Sequence, residues 1–372
     1  MRYPKFFLLT LIVLMSSLNI SCSDSTSANG TGSGVDKVFY SINQGDGLGV
    51  YTMNINGSGK TYIHDGIISS LSRGKTILIL KTFRNDSTEF ITTDLYGQAE
   101  VKLFSTNGLV QVAVLSPDKK SVLYERQKNG TPFVVVIHNI ENSTETIISD
   151  TINNTLGVNT PVFSPDSKKV LIPYYSLKDN VGKIGIVSAD GFGQIDSIMN
   201  AFVYSYAFNA DIMPFYDFSP DGESVIYYSL TYPSSINVYD LASRNSNTIV
   251  SDSLFKIPLS FSPKGNYFVY QTYTLRKRPH PNQTAWIGTL WVYDFKIGQT
   301  VRYPIPFLNT FGAVLNCQWS PDEQKILMQT SEEDSSGINK FRSLIFDRTK
   351  GAFSDLNVVV PSIFFWGSSI NL

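Results

Sequence analysis

The stretch FSPDGESVIYYS, residues 218–229, constrains the chain most, because close variants of it recur. They are LSPDKKSVLYE from Leu115, FSPDSKKVLIPYY from Phe163, FSPKGNYFVYQT from Phe261 and WSPDEQKILMQT from Trp319. A degenerate copy, LSRGKTILILKT, starts at Leu71. Their serines, Ser72, Ser116, Ser164, Ser219, Ser262 and Ser320, are about 43–58 residues apart, a period that marks repeated supersecondary units. In each copy an apolar residue ends a strand, Pro presets φ for a turn, and Asp, Gly or Lys completes it. The β-branched and aromatic alternation that follows begins an antiparallel partner, so each copy is a hairpin.

A third strand follows each hairpin and ends near an Asp or Asn: Asp94, Asn139, Asp190, Asp240, Asp294 and Asp347. A short fourth strand comes after it, as in AEVKLF, TETIIS and TVRYPI. Six complete four-strand units result. At the N-terminal end KVFYSIN, GVYTMNI and KTYIHDG supply second, third and fourth strands without a first, and the C-terminal VPSIFFWGSS supplies a first strand with nothing after it. Joined, the ends make a seventh unit. A four-stranded sheet repeated radially is a β-propeller, and joining its ends removes exposed sheet edges. The expectation is an all-β chain, a seven-bladed propeller in one domain over residues 37–372; the alternative is a six-bladed ring with one end as a decoration.

Bulk composition narrows the function classes. Thirty Lys and Arg against 31 Asp and Glu leave a formal net charge of −1, so no whole-chain field recruits nucleic acid. Two cysteines, Cys22 and Cys317, and three scattered histidines, His64, His138 and His280, form neither a disulfide framework nor a zinc pattern. No cofactor or metal is expected.

Residues 1–22, MRYPKFFLLTLIVLMSSLNISC, have a charged start, an apolar run from Phe6 to Met15 and a small or polar end, the layout of a targeting segment. The apolar run is too short for an ordinary membrane span. LNISC resembles a bacterial lipoprotein lipobox, with Ser21 before the cysteine; Asn19 stands where Leu is usual, and Leu18 lies one place earlier. The resemblance implies that Cys22 is acylated and becomes the mature N-terminus. Residues 23–36, rich in Ser and Gly, read as a flexible tether. Cys317, within AVLNCQW, reads as a buried strand thiol.

FSPDG followed by an apolar strand, then a strand ending in VYDL, resembles the TolB-like, WD-like propeller repeats of bacterial envelope proteins. That resemblance covers residues 37–372 and implies an envelope address, with the outer membrane favoured by Ser23 after the cysteine; it does not imply one activity. A Tol-system role is not implied, since only a short linker precedes the propeller here, and no G-x-S-x-G accompanies it as in prolyl oligopeptidase relatives. Some propeller lyases acting on pectic oligosaccharides share the SPDG repeat and use clustered histidines with a metal. On that reading His64, His138 and His280 would converge.

The SPD aspartates Asp118, Asp166, Asp221 and Asp322 recur once per unit, which assigns them to turn chemistry rather than catalysis. In an antiparallel blade the connections after strands one and three share one face of the ring, and those after strands two and four share the other. The second face carries the long ones, where function usually resides. Two insertions stand out there. Residues 200–217 present Tyr204, Tyr206 and Phe208; residues 274–288 present Arg276, Arg278, His280 and Trp286. Aromatics beside cationic donors suit a sugar ring or a protein anchor. The expectation is a non-catalytic, lipid-anchored envelope propeller that binds a protein or glycan partner there, with a propeller-lyase enzyme as the alternative.

Overall fold

The computed structural model describes residues 37–43, 48–54, 58–71, 76–82, 87–128, 134–148, 161–176, 181–191, 194–199, 201, 216–229, 234–277, 284–303, 305, 312–333, 339–356 and 364–367. Apolar alternation produces strands throughout these residues. Blade 1 contains β1 (Lys37–Asn43), β2 (Leu48–Asn54) and β3 (Thr61–Asp65). Blade 2 is β4 (Ile67–Leu71), β5 (Ile77–Thr82), β6 (Ser87–Thr93) and β7 (Val101–Asn107). Blade 3 is β8 (Leu109–Leu115), β9 (Ser121–Gln127), β10 (Val134–Asn139) and β11 (Thr144–Ile147). Blade 4 is β12 (Val162–Phe163), β13 (Lys169–Ser176), β14 (Val181–Ser188) and β15 (Gln194–Met199). Blade 5 is β16 (Tyr216–Phe218), β17 (Ser224–Ser229), β18 (Ser235–Asp240) and β19 (Asn245–Ser251). Blade 6 is β20 (Phe255–Phe261), β21 (Tyr267–Lys277), β22 (Thr284–Asp294) and β23 (Gln299–Tyr303). Blade 7 is β24 (Gly312–Trp319), β25 (Lys325–Glu333), β26 (Asn339–Asp347) and β27 (Ala352–Asp355). The last strand, β28 (Phe364–Gly367), returns to blade 1 and pairs antiparallel with β1, Val38 opposite Trp366.

The result is the expected seven-bladed propeller, with the chain ends sharing one blade. Each sheet runs antiparallel from an inner first strand to an outer fourth, and outer strands such as β7, β19 and β23 are mostly exposed. Blades 6 and 7 touch through one parallel bridge, Ile287 with Gly312. The core lies between blades, because the two faces of each sheet pack against its two neighbours. On β9, Val122 and Tyr124 join the cluster shared with blade 2, whereas Leu123 joins the cluster shared with blade 4. The same parity holds on β17, with Val225 and Tyr227 towards blade 4 and Ile226 and Tyr228 towards blade 6.

The repeated Ser-Pro-Asp segment is a self-contained turn. Ser116 Oγ donates to Asp118 Oδ1 at 2.6 Å and accepts from Ser121 N at 2.9 Å, while Asp118 Oδ1 also accepts from Lys120 N. Ser164 with Asp166, Ser219 with Asp221 and Ser320 with Asp322 repeat the arrangement. The next residue is left-handed in all five described copies: Lys119 (φ 63°), Ser167 (62°), Gly222 (75°), Gly265 (75°) and Glu323 (61°). Glycine suits that conformation, and two of the three non-glycine copies use their side chains between blades. Ser167 Oγ accepts from Asp118 N of the preceding blade, and Glu323 accepts from Lys264 N and Asn266 Nδ2. Gly222 and Gly265 bring the backbone against Pro165 and Pro220 of their preceding blades. The turns therefore abut one another around one face.

A second set of links lies at the inner strands. A bulge in β24 between Val314 and Asn316 frees backbone groups, and Gln271 of β21 takes up both sides of Val314, Nε2 to O at 2.7 Å and N to Oε1 at 2.9 Å. Ser69 does the same for Ala113 between blades 2 and 3, donating at 2.7 Å and accepting at 3.0 Å. Side chains here satisfy backbone groups that would otherwise be buried without partners.

Replacing Lys119 with Gly relieves the left-handed strain, and the urea midpoint should rise by the equivalent of about 0.5–1 kcal/mol. The same change at Glu323 removes two inter-blade acceptors and should lower the midpoint. Equal gains at the two positions would contradict this account of the turns.

Candidate functional site

The expected binding residues are only partly within the described residues. Tyr204, Tyr206, Phe208, Arg278, His280 and the acylation candidate Cys22 lie outside them. Arg276 and Trp286 lie on β21 and β22, where Arg276 pairs with Ala285 and Leu275 with Trp286. Residues 274–277 and 284–288, read from sequence as part of a loop insertion, instead continue the strands, so β21 and β22 form a hairpin of 11-residue arms. The other insertion ends earlier than residue 217, since Tyr216 and Asp217 belong to β16.

The recurrent polar residues are committed to turns. The third-strand series behaves like the SPD aspartates: Asp94 Oδ1 accepts from Tyr96 N and Gln98 N, and Asn139 Oδ1 from Glu141 N and Asn142 N. Asp347 accepts from Thr349 N, Thr349 Oγ1 and Lys350 N. The Thr349 hydroxyl and its neighbours hold the Asp347 carboxyl down at about 2. Cys317 is buried on β24, and burial pushes its thiol well above the ordinary range, so it is an inert core group.

The structure does not bring the described histidines together. His64 lies on β3, the outer strand of blade 1, with Nε2 3.2 Å from Glu100 of the next blade. His138 is buried on β10 of blade 3, its ring stacked on Phe104 of β7 at 3.7 Å. Among the described residues no cluster of three or more His, Cys, Asp or Glu forms a metal site.

His138 belongs to a polar network between blades 2 and 3. Arg126 Nη1 donates to Thr106 Oγ1 at 2.8 Å and to Glu145 Oε2 at 2.9 Å, and Tyr124 OH donates to Glu145 Oε1 at 2.6 Å. Burial alone would raise the Glu145 carboxyl, but bonds from Tyr124 and Arg126 outweigh it and hold it below the ordinary range. Burial pushes His138 down, partly opposed by Glu145. The Arg126–Glu145 charge pair and the bonds to Thr106 and Tyr124 make this network a blade-to-blade bolt, although Arg126 Nε and His138 Nδ1 have no hydrogen-bond partner.

One buried group has no such complement. Aligning the second strands places Ser41, Leu80, Glu125, Pro173, Tyr228, Gln271 and Gln329 at one position, the one facing the next blade. Ser41 Oγ accepts from Ile68 N at 2.8 Å, Tyr228 OH from Lys256 N at 3.4 Å, and Gln271 holds Val314. Glu125 is 3% exposed, and its Oε1 has no hydrogen-bond partner among the described residues. Sequence reading passed over it; the signal was a lone acid in a column of amides, hydroxyls and apolar residues.

Burial raises the Glu125 carboxyl from 4.5 to about 8. The folded chain thus holds a proton that the unfolded chain gives up above 4.5. Stability linked to this proton is complete below 4.5 and is lost as pH rises towards 8. The slope is at most ~1.4 kcal/mol per pH unit. Glu125→Gln removes the titration, so its urea midpoint should exceed that of the wild type by a margin that grows from acid to mildly alkaline pH. A constant margin would show that Glu125 is not the titrating group.

No protein-family model matches the sequence, and comparison with curated proteins finds no match. Among solved structures, a Bacteroides fragilis protein provisionally assigned as a 6-phosphogluconolactonase is similar over 91% of this chain and 99% of its own, with TM-score 0.55 and 12% identity. An oligogalacturonate lyase in complex with manganese is similar over 82% of this chain and 84% of its own, with TM-score 0.54 and 15% identity. TolB from Acinetobacter baumannii is similar over 86% and 78%, with TM-score 0.45 and 14% identity. At such identities the first two show the shared propeller fold alone.

Proposed function

We propose that this chain is a non-catalytic propeller of the bacterial cell envelope, anchored by a lipid on Cys22. It binds a protein or glycan partner on the face that carries the connections after the second and fourth strands. The observation that carries this reading is the contrast between repeated and unrepeated parts. Residues that recur from blade to blade serve turns and blade contacts, which leaves the β21/β22 hairpin and the long connections to distinguish this propeller from others. Arg276 and Trp286, on that hairpin, are residue types that anchor partners. Tyr204, Tyr206, Phe208, Arg278 and His280 are assigned to the same surface.

The lipid anchor is tested by labelling. Cells expressing the full chain should incorporate radiolabelled palmitate into it, and Cys22→Ala should abolish the label and release the protein from membranes; a labelled C22A chain would refute acylation at Cys22.

The binding face is tested by cross-linking in intact envelopes. A partner captured by the wild type should be lost when Tyr204, Tyr206 and Trp286 are all replaced by Ala. Undiminished capture by that variant would move the interface elsewhere.

A further inference from the structure

The face of the ring that carries the Ser-Pro-Asp turns is divided in charge. On blades 3, 4 and 5 it exposes the acids Asp118, Glu141, Asp166, Asp190, Asp221 and Glu223. On blades 6, 7, 1 and 2 the turn aspartates Asp94, Asp294, Asp322 and Asp347 are half-buried, and Glu323 is buried. Among the described residues of that arc, the exposed acid on this face is Glu100, beside His64. Exposed lysines stand there instead: Lys60 before β3, Lys264 in the blade 6 turn, Lys296 between β22 and β23, and Lys350 between β26 and β27. Lys350 lies 3.2 Å from Asp347, yet its side chain is 75% exposed.

Apolar surface follows the same arc. Of the eight large hydrophobic side chains exposed among the described residues, five lie on turns or near the starts of outer strands in blades 1, 2 and 6: Tyr62, Tyr96, Val101, Ile297 and Val301. The other three, Leu48, Leu109 and Ile147, sit at strand ends on the opposite face. The tyrosines are firmly placed. Tyr40, Tyr51 and Tyr62 form a ladder of rings across blade 1, 5.9 Å and 5.5 Å apart, from buried Tyr40 to exposed Tyr62. Lys60 lies over the Tyr51 ring at 4.6 Å and Lys37 over the Tyr96 ring at 5.4 Å. A Cβ on Gly97 would sit 3.0 Å from Ile63, so the turn that carries Tyr96 lies against β3, which carries Tyr62.

Rings with polar tips beside lysines suit the headgroup layer of a bilayer, where the ring meets the upper acyl chains and the ammonium meets phosphate. The chain enters the propeller at Lys37, within this arc, and the Ser- and Gly-rich residues 23–36 before it have an r.m.s. reach of about 20 Å. An acyl anchor on Cys22 holds the arc beside the membrane at high effective concentration, so a weakly binding surface is enough.

We infer that the turn face of blades 6, 7, 1 and 2 rests on the membrane, with Tyr62 and Tyr96 in the headgroup layer and Lys60, Lys296 and Lys350 against anionic phospholipid. The acids of blades 3, 4 and 5 are repelled by the same headgroups, which tilts that half of the ring away. The opposite face, with its long connections, then points away from the bilayer and towards a partner. This inference rests on the anchor proposed above and gives the anchored chain an orientation.

The test is photo-crosslinking of the full chain in intact envelopes. The photoreactive amino acid p-benzoylphenylalanine, close in shape to tyrosine, replaces Tyr62 or Tyr96, and in control chains Lys168 on the acidic arc or Asn247 on β19. Mass spectrometry of the cross-linked peptides should find phospholipid adducts at positions 62 and 96 and none at 168 and 247. Combining Lys60→Glu, Lys296→Glu and Lys350→Glu, all at exposed positions, should cut the adducts at position 62 about fivefold or more while the protein stays in the membrane fraction. Membrane-retained protein with no lipid adduct at 62 and 96, or with equal adducts at all four positions, overturns the docking and leaves the anchor standing. Adducts to protein in place of lipid at 62 and 96, or an undiminished yield in the triple lysine variant, overturn it as well. Absence of the wild type from the membrane fraction overturns the anchor and this inference together.

Discussion

The pairing of β28 with β1 is the constraint on which the rest depends. Four residue pairs, from Lys37 with Gly367 to Tyr40 with Phe364, give blade 1 its inner strand from the far end of the chain. Without it, blade 1 would have three strands and an open inner edge, with the backbone of β1 unpaired. With it, blade 1 presents Val38 and Tyr40 to Leu327 and Ile345 of blade 7, and Phe39 towards the cluster that includes blade 2. Each remaining blade is sandwiched in the same way, so no sheet face lacks a neighbour.

Within that closed ring the blade interfaces combine apolar packing with a few directional bonds. Apolar layers alone would tolerate sliding, since burial has no preferred register. The Gln271 to Val314 and Ser69 to Ala113 contacts set the height of one blade against the next, because each engages both polar groups of a single peptide position. On one face the turns add a second registration, through Ser167 to Asp118 and Glu323 to Lys264. Glu125 occupies the same structural column, buried with no hydrogen bond at Oε1, so it packs at that height without adding to the registration.

Much of the fold was legible in the residues. The Ser-Pro-Asp copies determine hairpins because serine hydroxyl, proline φ and aspartate carboxyl act within five residues of one another, and local chemistry needs no tertiary context. The third-strand Asp and Asn positions were legible for the same reason. Legibility failed where a segment's state depends on its neighbour. TLRK and TAWIG resemble loop in composition, yet Thr274 to Lys277 are strand because Thr284 to Ile287 lie beside them. Likewise Tyr216 and Asp217 were grouped with the connection before them, although pairing with Tyr227 and Ile226 makes them strand.

The amino-acid sequence by itself determined the repeat, the number of strands per blade and the pairing of the two chain ends, since periodicity and turn chemistry are properties of short segments. Only the tertiary structure decided which faces meet and that Glu125 is left buried without a hydrogen bond at Oε1. Those facts depend on distances between residues far apart in the chain. Burial, which turns an ordinary glutamate into a neutral acid, is a property of the assembled interface and has no signature in the glutamate's own neighbours.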